Sequence, residues 1–142
     1  MADLNAARDL IASARYLILQ FEIPLPVVRE AISLARQLGV YVILNAAPAY
    51  PVGHDFLRGV DCLVANESEA RALTGIEIKD LRAAEQAGRK LLNAEVPVVI
   101  ITLGAQGALL VTRQQVTHVP ARQVQVVDTT AAGDAFIGGL AV

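Results

Sequence analysis

The segment PVVIITL, residues 97–103, is the most apolar stretch of the chain and decides its fold class. It follows a helical pattern and does not alternate between apolar and polar residues, which is typical of a strand buried on both faces. YLILQ (16–20) and VYVIL (40–44) follow helical patterns in the same way, and DCLVA (61–65) precedes a short helix that Gly75 closes. Helices that alternate with such strands imply βαβ crossovers and a parallel sheet.

Local signals define the elements around these strands. Pro26 suits the first turn of a helix and Gly39 suits the position just after its end. Residues 108–112 and 116–119 are strand-like runs around a polar turn, which predicts an antiparallel hairpin at the edge of the sheet. A final helix is predicted from about Ala132. A first helix is indicated by residues at helical spacing: Leu4, Ala7, Leu10, Ile11 and Ala14.

Composition restricts the class of protein. The 142 residues are 54% hydrophobic and 18% charged, where about 25% charged is usual, and the net charge is -2. Disorder is excluded, a single Cys cannot form an internal disulfide, and no cluster of Lys and Arg indicates nucleic-acid binding. The longest apolar run, 96–103, is far shorter than the roughly 18 residues of a membrane span, and the N-terminus lacks a signal-peptide pattern. We expect a soluble, cytoplasmic, single-domain protein (1–142). Its excess of apolar residues would belong either to a sheet that is covered on both faces or to a surface that is covered by something outside this chain.

The segment DTTAAGDAF, Asp128–Phe136, carries the most chemical information. Its small residues allow a ligand to approach the backbone closely, and the start of a helix presents unpaired N–H groups and a positive dipole end. Such a turn suits a phosphate whose charge rises during transfer, and Asp134 could accept a proton from an attacking hydroxyl. The alternative is that Asp134 only complements the helix dipole and that Thr129 or Thr130 caps the helix.

Several other chemistries are disfavoured. Gly133 and Gly138 have the spacing of a Walker A loop, but Gly139 stands where that motif requires Lys. The sequence contains no GxGxxG motif for dinucleotides and no GxSxG elbow of a serine hydrolase. Neither His54 nor His118 has a second His or Cys at zinc-ligand spacing.

The segment NESE, residues 66–69, comes directly after a predicted strand. Asn66 and Glu69 have the spacing of a helix capping box, with Asn in the Ser/Thr role. Alternatively, a carboxylate and an amide at the carboxyl end of a parallel strand could hold a hydrated Mg²⁺ beside phosphates. Taken alone, the spacing favours the capping interpretation.

Two further polar segments follow strands. In ITLGAQG (101–107), Thr102 and Gly104 lie at the exit of the most apolar strand. A tight turn explains the glycines. Alternatively, the turn could contact a nucleotide, which requires only that it lie beside the NESE and DTTAAGDAF loops. In LQFE (19–22), Glu22 is either a solvated loop residue or an acceptor for a hydroxyl group.

Taken in this order, the four segments resemble the ribokinase (PfkB-type) family of carbohydrate kinases. DTTAAGDAF is similar to the family signature, NESE to its Asn-x-x-Glu motif and ITLGAQG to its nucleotide-side strand exit. LQFE and NAAPA (45–49) resemble ribokinases in particular, and the similarity runs from near Leu10 to Val142. The resemblance implies an α/β fold with three αβα layers and a mostly parallel sheet, truncated at both ends. It also implies ATP-dependent phosphorylation of a sugar hydroxyl, with ribose as the expected sugar.

The resemblance further implies a role for individual residues. Asp134 would be the base that takes the proton from the sugar hydroxyl, and Glu22 would hydrogen-bond a sugar hydroxyl. The other implied roles are anion-hole amides from Ala131, Ala132 and Gly133; water-mediated organisation of Mg²⁺ and the ATP phosphates by Asn66 and Glu69; nucleotide contacts from Thr102, Gly104 and Gly107; and an activating K⁺ held by Asp128 and Thr130.

The chain differs from the family in its extent. Members of the family begin with a glycine-rich sugar-binding region and a β-lid, and they continue past the signature through helices near the adenine. Neither region is present in this sequence, so we expect the partial chain to transfer phosphate poorly or not at all. Two alternatives stay open: a non-catalytic remnant that self-associates as a homo-oligomer, and a module that binds nucleotide without transfer.

Overall fold

The computed structural model of the protein describes residues 2–125, 127–128 and 131–142. A six-stranded sheet forms its centre, and the strands lie side by side in chain order. The strands are β1 (Tyr16–Leu19), β2 (Tyr41–Asn45), β3 (Cys62–Asn66), β4 (Val98–Thr102), β5 (Ala108–Thr112) and β6 (Val116–Val119).

The first four strands are parallel, and β5 and β6 are antiparallel to their neighbours. The predicted mostly parallel sheet and its edge hairpin are therefore confirmed. Strand β2 begins one residue later than the sequence predicts, because the Val40 N–H donates to the Ala35 carbonyl of the preceding helix. That bond still belongs to the helix terminus, so pairing with β1 starts at Tyr41.

Six α-helices are found among the described residues: α1 (Ala2–Ala6), α2 (Arg8–Ser13), α3 (Leu25–Leu38), α4 (Glu67–Thr74), α5 (Leu81–Leu92) and α6 (Ala132–Leu140). Pro26 lies in the first turn of α3, and Gly39 ends that helix with a left-handed φ of 70°, both as predicted. The single predicted N-terminal helix is wrong, because the chain forms two short helices that meet at Ala7. Leu10 is 74% exposed, and Ile11 is the buried residue of α2.

The sheet packs very differently on its two faces. Alternate residues of β2–β4, such as Leu44, Leu63 and Ile101, face a large core that α3, α4 and α5 complete. The residues between them, including Ile43 and Ile100, belong to a much smaller cluster, to which α6 contributes Ile137. Helices therefore lie on both faces, and the α/β fold that the sequence predicts is confirmed.

The parallel strands all end at the same edge of the sheet, as their pairing in register requires. Asn45, Asn66 and Thr102 are the last residues of β2, β3 and β4, and Gln20 follows β1. Ligands of α/β proteins bind outside the carboxyl ends of the strands, so this edge is where a site is expected. Within the described part of the chain, every helix is too short or too polar to cross a lipid bilayer.

Candidate active site

The loops after the parallel strands enclose a cavity of about 260 Å³. Five separate segments of the sequence contribute to its wall. The lining residues are Gln20, Glu22, Asn45, Ala47, Val64, Asn66, Glu69, Thr102, Ala131, Ala132, Gly133, Asp134 and Phe136. The fold thus gathers the predicted base, the predicted sugar contact and the predicted Mg²⁺ residues around one space.

A second cavity of about 480 Å³ adjoins the first. The two share five lining residues: Asn66, Thr102, Ala132, Gly133 and Phe136. Gly104 and Gly107, the predicted nucleotide contacts, line only the second cavity, whereas Glu22 and Asp134 line only the first. The start of α6 therefore lies between two cavities, one lined by the predicted base and sugar contact and the other by the predicted nucleotide contacts.

The N-terminus of α6 has an unusual backbone. Its N-cap residue, Ala131, adopts the left-handed conformation with φ 58° and ψ 15°, which costs a non-glycine residue roughly 1–2 kcal/mol. Ala131 has no side-chain acceptor, and no side-chain cap bond is formed at this position. The predicted caps Thr129 and Thr130 lie outside the described residues. Thr130 is also one of the two residues predicted to hold K⁺. Asp128, the other predicted K⁺ residue, is exposed.

Asp134 lies in the first turn of α6, where the helix dipole favours a carboxylate. Its Oδ1 accepts a hydrogen bond of 2.8 Å from Nε2 of Gln20, a residue 114 positions earlier in the chain. Gln20 is a site residue that the sequence analysis above does not predict. Its position in LQFE, directly after a parallel strand, was the available signal.

The start of α4 is a complete capping box. The Glu69 N–H donates to Asn66 Oδ1 at 2.9 Å, and the Asn66 N–H donates to Glu69 Oε2 at 2.8 Å. Asn66 Nδ2 also donates to Glu69 Oε1 at 2.8 Å. The capping interpretation is confirmed, and the role of these two residues toward Mg²⁺ stays a prediction.

Glu69 is a buried carboxyl, only 6% exposed. Burial raises the pKa of Glu69 above its ordinary value, and the hydrogen bond from the Asn66 backbone works in the opposite direction. Each carboxylate oxygen already accepts one bond from Asn66, and a carboxylate offers about four acceptor sites in all. The remaining sites suit water ligands of a hydrated Mg²⁺, which commonly keeps several waters. Among the residues with described positions, no three His, Cys, Asp or Glu side chains gather into a metal cage.

The ITLGAQG turn is held by its own backbone. The Leu103 N–H donates to the Gly107 carbonyl at 2.8 Å, and the Gly107 N–H donates to the Gly104 carbonyl at 3.0 Å. Gly107 has φ 97°, and a Cβ there would collide with the Val119 carbonyl oxygen and the Ala121 nitrogen. The tight-turn explanation of both glycines is therefore confirmed, and the same turn lines the second cavity.

Two polar residues complete the first cavity. Glu22 is exposed and lines the cavity, which is consistent both with a solvated loop residue and with an acceptor for a hydroxyl group. Asn45 is only 7% exposed, ends β2 and also lines the cavity. Asn45 belongs to the NAAPA segment, but the sequence alone does not mark it as a site residue.

Cys62 lies in β3, away from both cavities. Burial, followed by the nearby Asp61 carboxylate, raises the pKa of its thiol to about 11. The thiol is protonated at neutral pH and therefore a poor nucleophile.

The sequence matches the model of the pfkB family of carbohydrate kinases over residues 1–142. The ribokinase of Staphylococcus aureus (strain COL) is 38% identical over 136 residues, which cover 96% of this chain and 45% of that protein. The bifunctional ribokinase/ribose-5-phosphate isomerase A of Fructilactobacillus sanfranciscensis is 42% identical over 139 residues, 98% of this chain and 26% of that protein.

A solved structure of Arabidopsis thaliana ribokinase, complexed with ribose and ATP, matches with a TM-score of 0.87 at 29% identity. The match covers 94% of this chain and 44% of that one. The chain thus spans less than half the length of these relatives. Because the family model matches the sequence from its first residue to its last, the chain belongs to the pfkB family of carbohydrate kinases.

Proposed function

We propose that this protein transfers the γ-phosphoryl group of ATP to a hydroxyl of a sugar, with ribose as the expected acceptor. The observation that carries the proposal is the meeting of two cavities at the start of α6. One is lined by carboxylates and amides that suit a sugar, and the other by the glycine turn expected to contact a nucleotide. Phosphoryl transfer requires mainly that donor and acceptor be held in line and that the developing charge be stabilised.

Asp134 acts as the base in this proposal. The bond from Gln20 occupies Oδ1, and the second carboxylate oxygen accepts the proton of the sugar hydroxyl as that hydroxyl attacks phosphorus. Support for this role comes from the position of Asp134 on the wall of the first cavity, which Glu22 also lines. Glu22 accepts a hydrogen bond from a sugar hydroxyl and so orients the acceptor.

The backbone amides of Ala131, Ala132 and Gly133 stabilise the charge that develops on the transferring group. Ala132 and Gly133 line both cavities, and the positive dipole end of α6 lies at the same point. Thr102, Gly104 and Gly107 contact the nucleotide from the second cavity.

Glu69 and Asn66 would hold a hydrated Mg²⁺, through its water ligands, next to the ATP phosphates. A bound Mg²⁺ would neutralise phosphate charge during transfer. The K⁺ predicted at Asp128 and Thr130, like the cytoplasmic location, stays a prediction of the resemblance.

Two measurements on the chain test the proposal. ATP with Mg²⁺ is expected to raise the melting temperature by mass action, and Asn66→Ala combined with Glu69→Ala is expected to abolish that rise. Any transfer of phosphate to ribose, followed by ³¹P NMR, is expected to depend on ATP and to be lost in Asp134→Ala. The absence of any ATP-dependent rise, or transfer that persists in Asp134→Ala, would contradict the proposal.

Self-association is a second candidate property, favoured by the thinly covered face of the sheet. A cavity of about 550 Å³ on that face is lined largely by apolar side chains, among them Tyr41, Ile100, Phe136 and Leu140. Sedimentation at several concentrations checks it: association that increases with concentration is expected, and a monomer throughout would contradict it.

A further inference from the structure

We propose that Gln20 is a positioning residue, whose side-chain amide holds the Asp134 carboxylate in one orientation for proton transfer. The inference rests on the proposed function for its catalytic meaning. Its structural basis is the 2.8 Å bond from Gln20 Nε2 to Asp134 Oδ1, which joins the exit of β1 to the first turn of α6.

The backbone on both sides of Gln20 is fixed. Leu19 and Phe21 are only 8% and 7% exposed, so the core anchors both neighbours. The Phe21 N–H donates to the Ala47 carbonyl at 2.7 Å, and the Phe21 ring packs edge-to-face against Phe56 with centroids 5.8 Å apart. Gln20 itself is half-buried between them. Its side-chain amide therefore extends toward the cavity from a backbone that is held in place on both sides.

Asp134, in contrast, is exposed on a short helix. An exposed aspartate samples several staggered χ1 rotamers unless a partner selects one. Among the residues whose contacts the structure describes, Gln20 provides the side-chain hydrogen bond to this carboxylate. Without that bond, packing would not determine which way the carboxylate points.

The partner of Asp134 is a neutral amide. It donates a hydrogen bond to the carboxylate without forming an ion pair, so the contact can be removed without changing the net charge of the site. Because the bond uses Oδ1, it also distinguishes the two carboxylate oxygens, and Oδ2 is the one proposed to accept the hydroxyl proton. Misplacement of a reacting group by about 1 Å can reduce a rate about 100-fold, so orientation of this kind has a measurable effect.

The orientation is tested first on the chain without substrate. Three-bond NMR couplings report the χ1 rotamer of Asp134 in the wild type, in Gln20→Met and in Gln37→Met. Met has nearly the size of Gln but no N–H donor, and Gln37 is an exposed residue of α3 that serves as the matched control. A single rotamer is expected in the wild type and in Gln37→Met, and averaged couplings are expected in Gln20→Met. The same rotamer in all three proteins would overturn the proposal.

The kinetic consequence is measured separately as phosphoryl transfer. Gln20→Met is expected to lower kcat about 10- to 100-fold while the KM values for sugar and ATP change less than about 2-fold. A purely structural defect would instead change both parameters and the amide spectrum of the whole chain. An unchanged kcat in Gln20→Met would contradict the inference. A wild-type chain with a fixed Asp134 rotamer but no ATP-dependent rise in melting temperature would contradict the proposed function but not the positioning contact.

Discussion

Helices α4 and α6 begin at the same edge of the sheet, yet their first turns are built in opposite ways. The start of α4 is closed by its own side chains, since Asn66 and Glu69 exchange three hydrogen bonds. The start of α6 consists of small residues, and its N-cap Ala131 forms no side-chain cap bond. Both turns line the same cavity.

The difference separates two uses of a helix N-terminus. A capping box satisfies the first N–H groups from within the chain and stabilises the helix. A start built from Ala131, Ala132 and Gly133 provides no such acceptor from its own side chains, so its dipole end and amides suit an anion. We therefore expect α4 to provide a rigid wall and α6 to provide the binding amides.

The largest effect is expected at Asp134. Asp134→Asn keeps the size of the side chain but removes the base, so phosphoryl transfer should fall about 10²- to 10⁴-fold in a coupled kinase assay. If Asp134 only complemented the helix dipole, the substitution would cost less than about 1 kcal/mol of stability and leave transfer unchanged. Asp9→Asn, in the first turn of α2, is the matched control for the dipole contribution.

A smaller loss of function, together with a gain in stability, is expected from a substitution at Gly133. A Cβ at this position meets no atom within 4 Å, and Gly133 has no positive φ, so Gly133→Ala should stabilise α6 by about 0.5–1 kcal/mol. The added methyl group would occupy space that the phosphate needs, and ATP affinity should fall about 10-fold, as measured by calorimetry.

Gly139→Ala is the matched control for this prediction. Gly139 is exposed in the same helix and also meets no atom within 4 Å, but it lines neither site cavity. We expect similar stabilisation with unchanged ATP affinity. Equal ATP affinity in both variants would mean that the small residues at the start of α6 do not serve a ligand.

Loss of the α4 cap should affect both stability and binding. Asn66→Ala removes the acceptor for the Glu69 N–H and should cost about 1 kcal/mol in urea unfolding. Asp80→Ala removes the equivalent acceptor for the Ala83 N–H at the start of α5, outside both cavities. A similar cost is expected there, with the ATP-dependent rise in melting temperature kept only in Asp80→Ala. If both variants keep that rise, Asn66 is only a structural cap.

The smallest effect concerns the pH dependence of stability. Because burial raises the pKa of Glu69 in the folded protein, the folded state disfavours its ionised form. The contribution of Glu69 to stability should therefore be greatest in acid and decline as the pH rises from the unfolded pKa through the folded one. Urea unfolding between pH 4 and pH 7 should show this decline in the wild type relative to Glu69→Gln. A relative stability that increases with pH would contradict the direction of the shift.

The features that can be predicted from the sequence are those with a local signal. The capping box needs only Asn66 and Glu69 three residues apart, and the end of α3 needs only Gly39, so both could be recognised from spacing. The meeting of four loops followed from the order of parallel strands and from the family resemblance.

Contacts between distant segments were not predictable in the same way. The bond between Gln20 and Asp134 joins positions 114 residues apart, and the sequence around either residue does not indicate the other as its partner. The burial of Asn45 depends on the packing of β2 between two strands. The break at Ala7 was missed because the apolar spacing continues across it, while only Ile11 of α2 is buried.

The most direct test of the contrast between the two helices is a titration of the ¹⁵N-labelled chain with ATP and Mg²⁺, followed by amide chemical shifts. We expect the Ala132 and Gly133 amides to shift strongly as they bind phosphate, and the Asn66 and Glu69 amides, already bonded within the capping box, to shift much less. Strong shifts at Asn66 and Glu69 with none at Ala132 and Gly133, or no shifts at either helix, would contradict it.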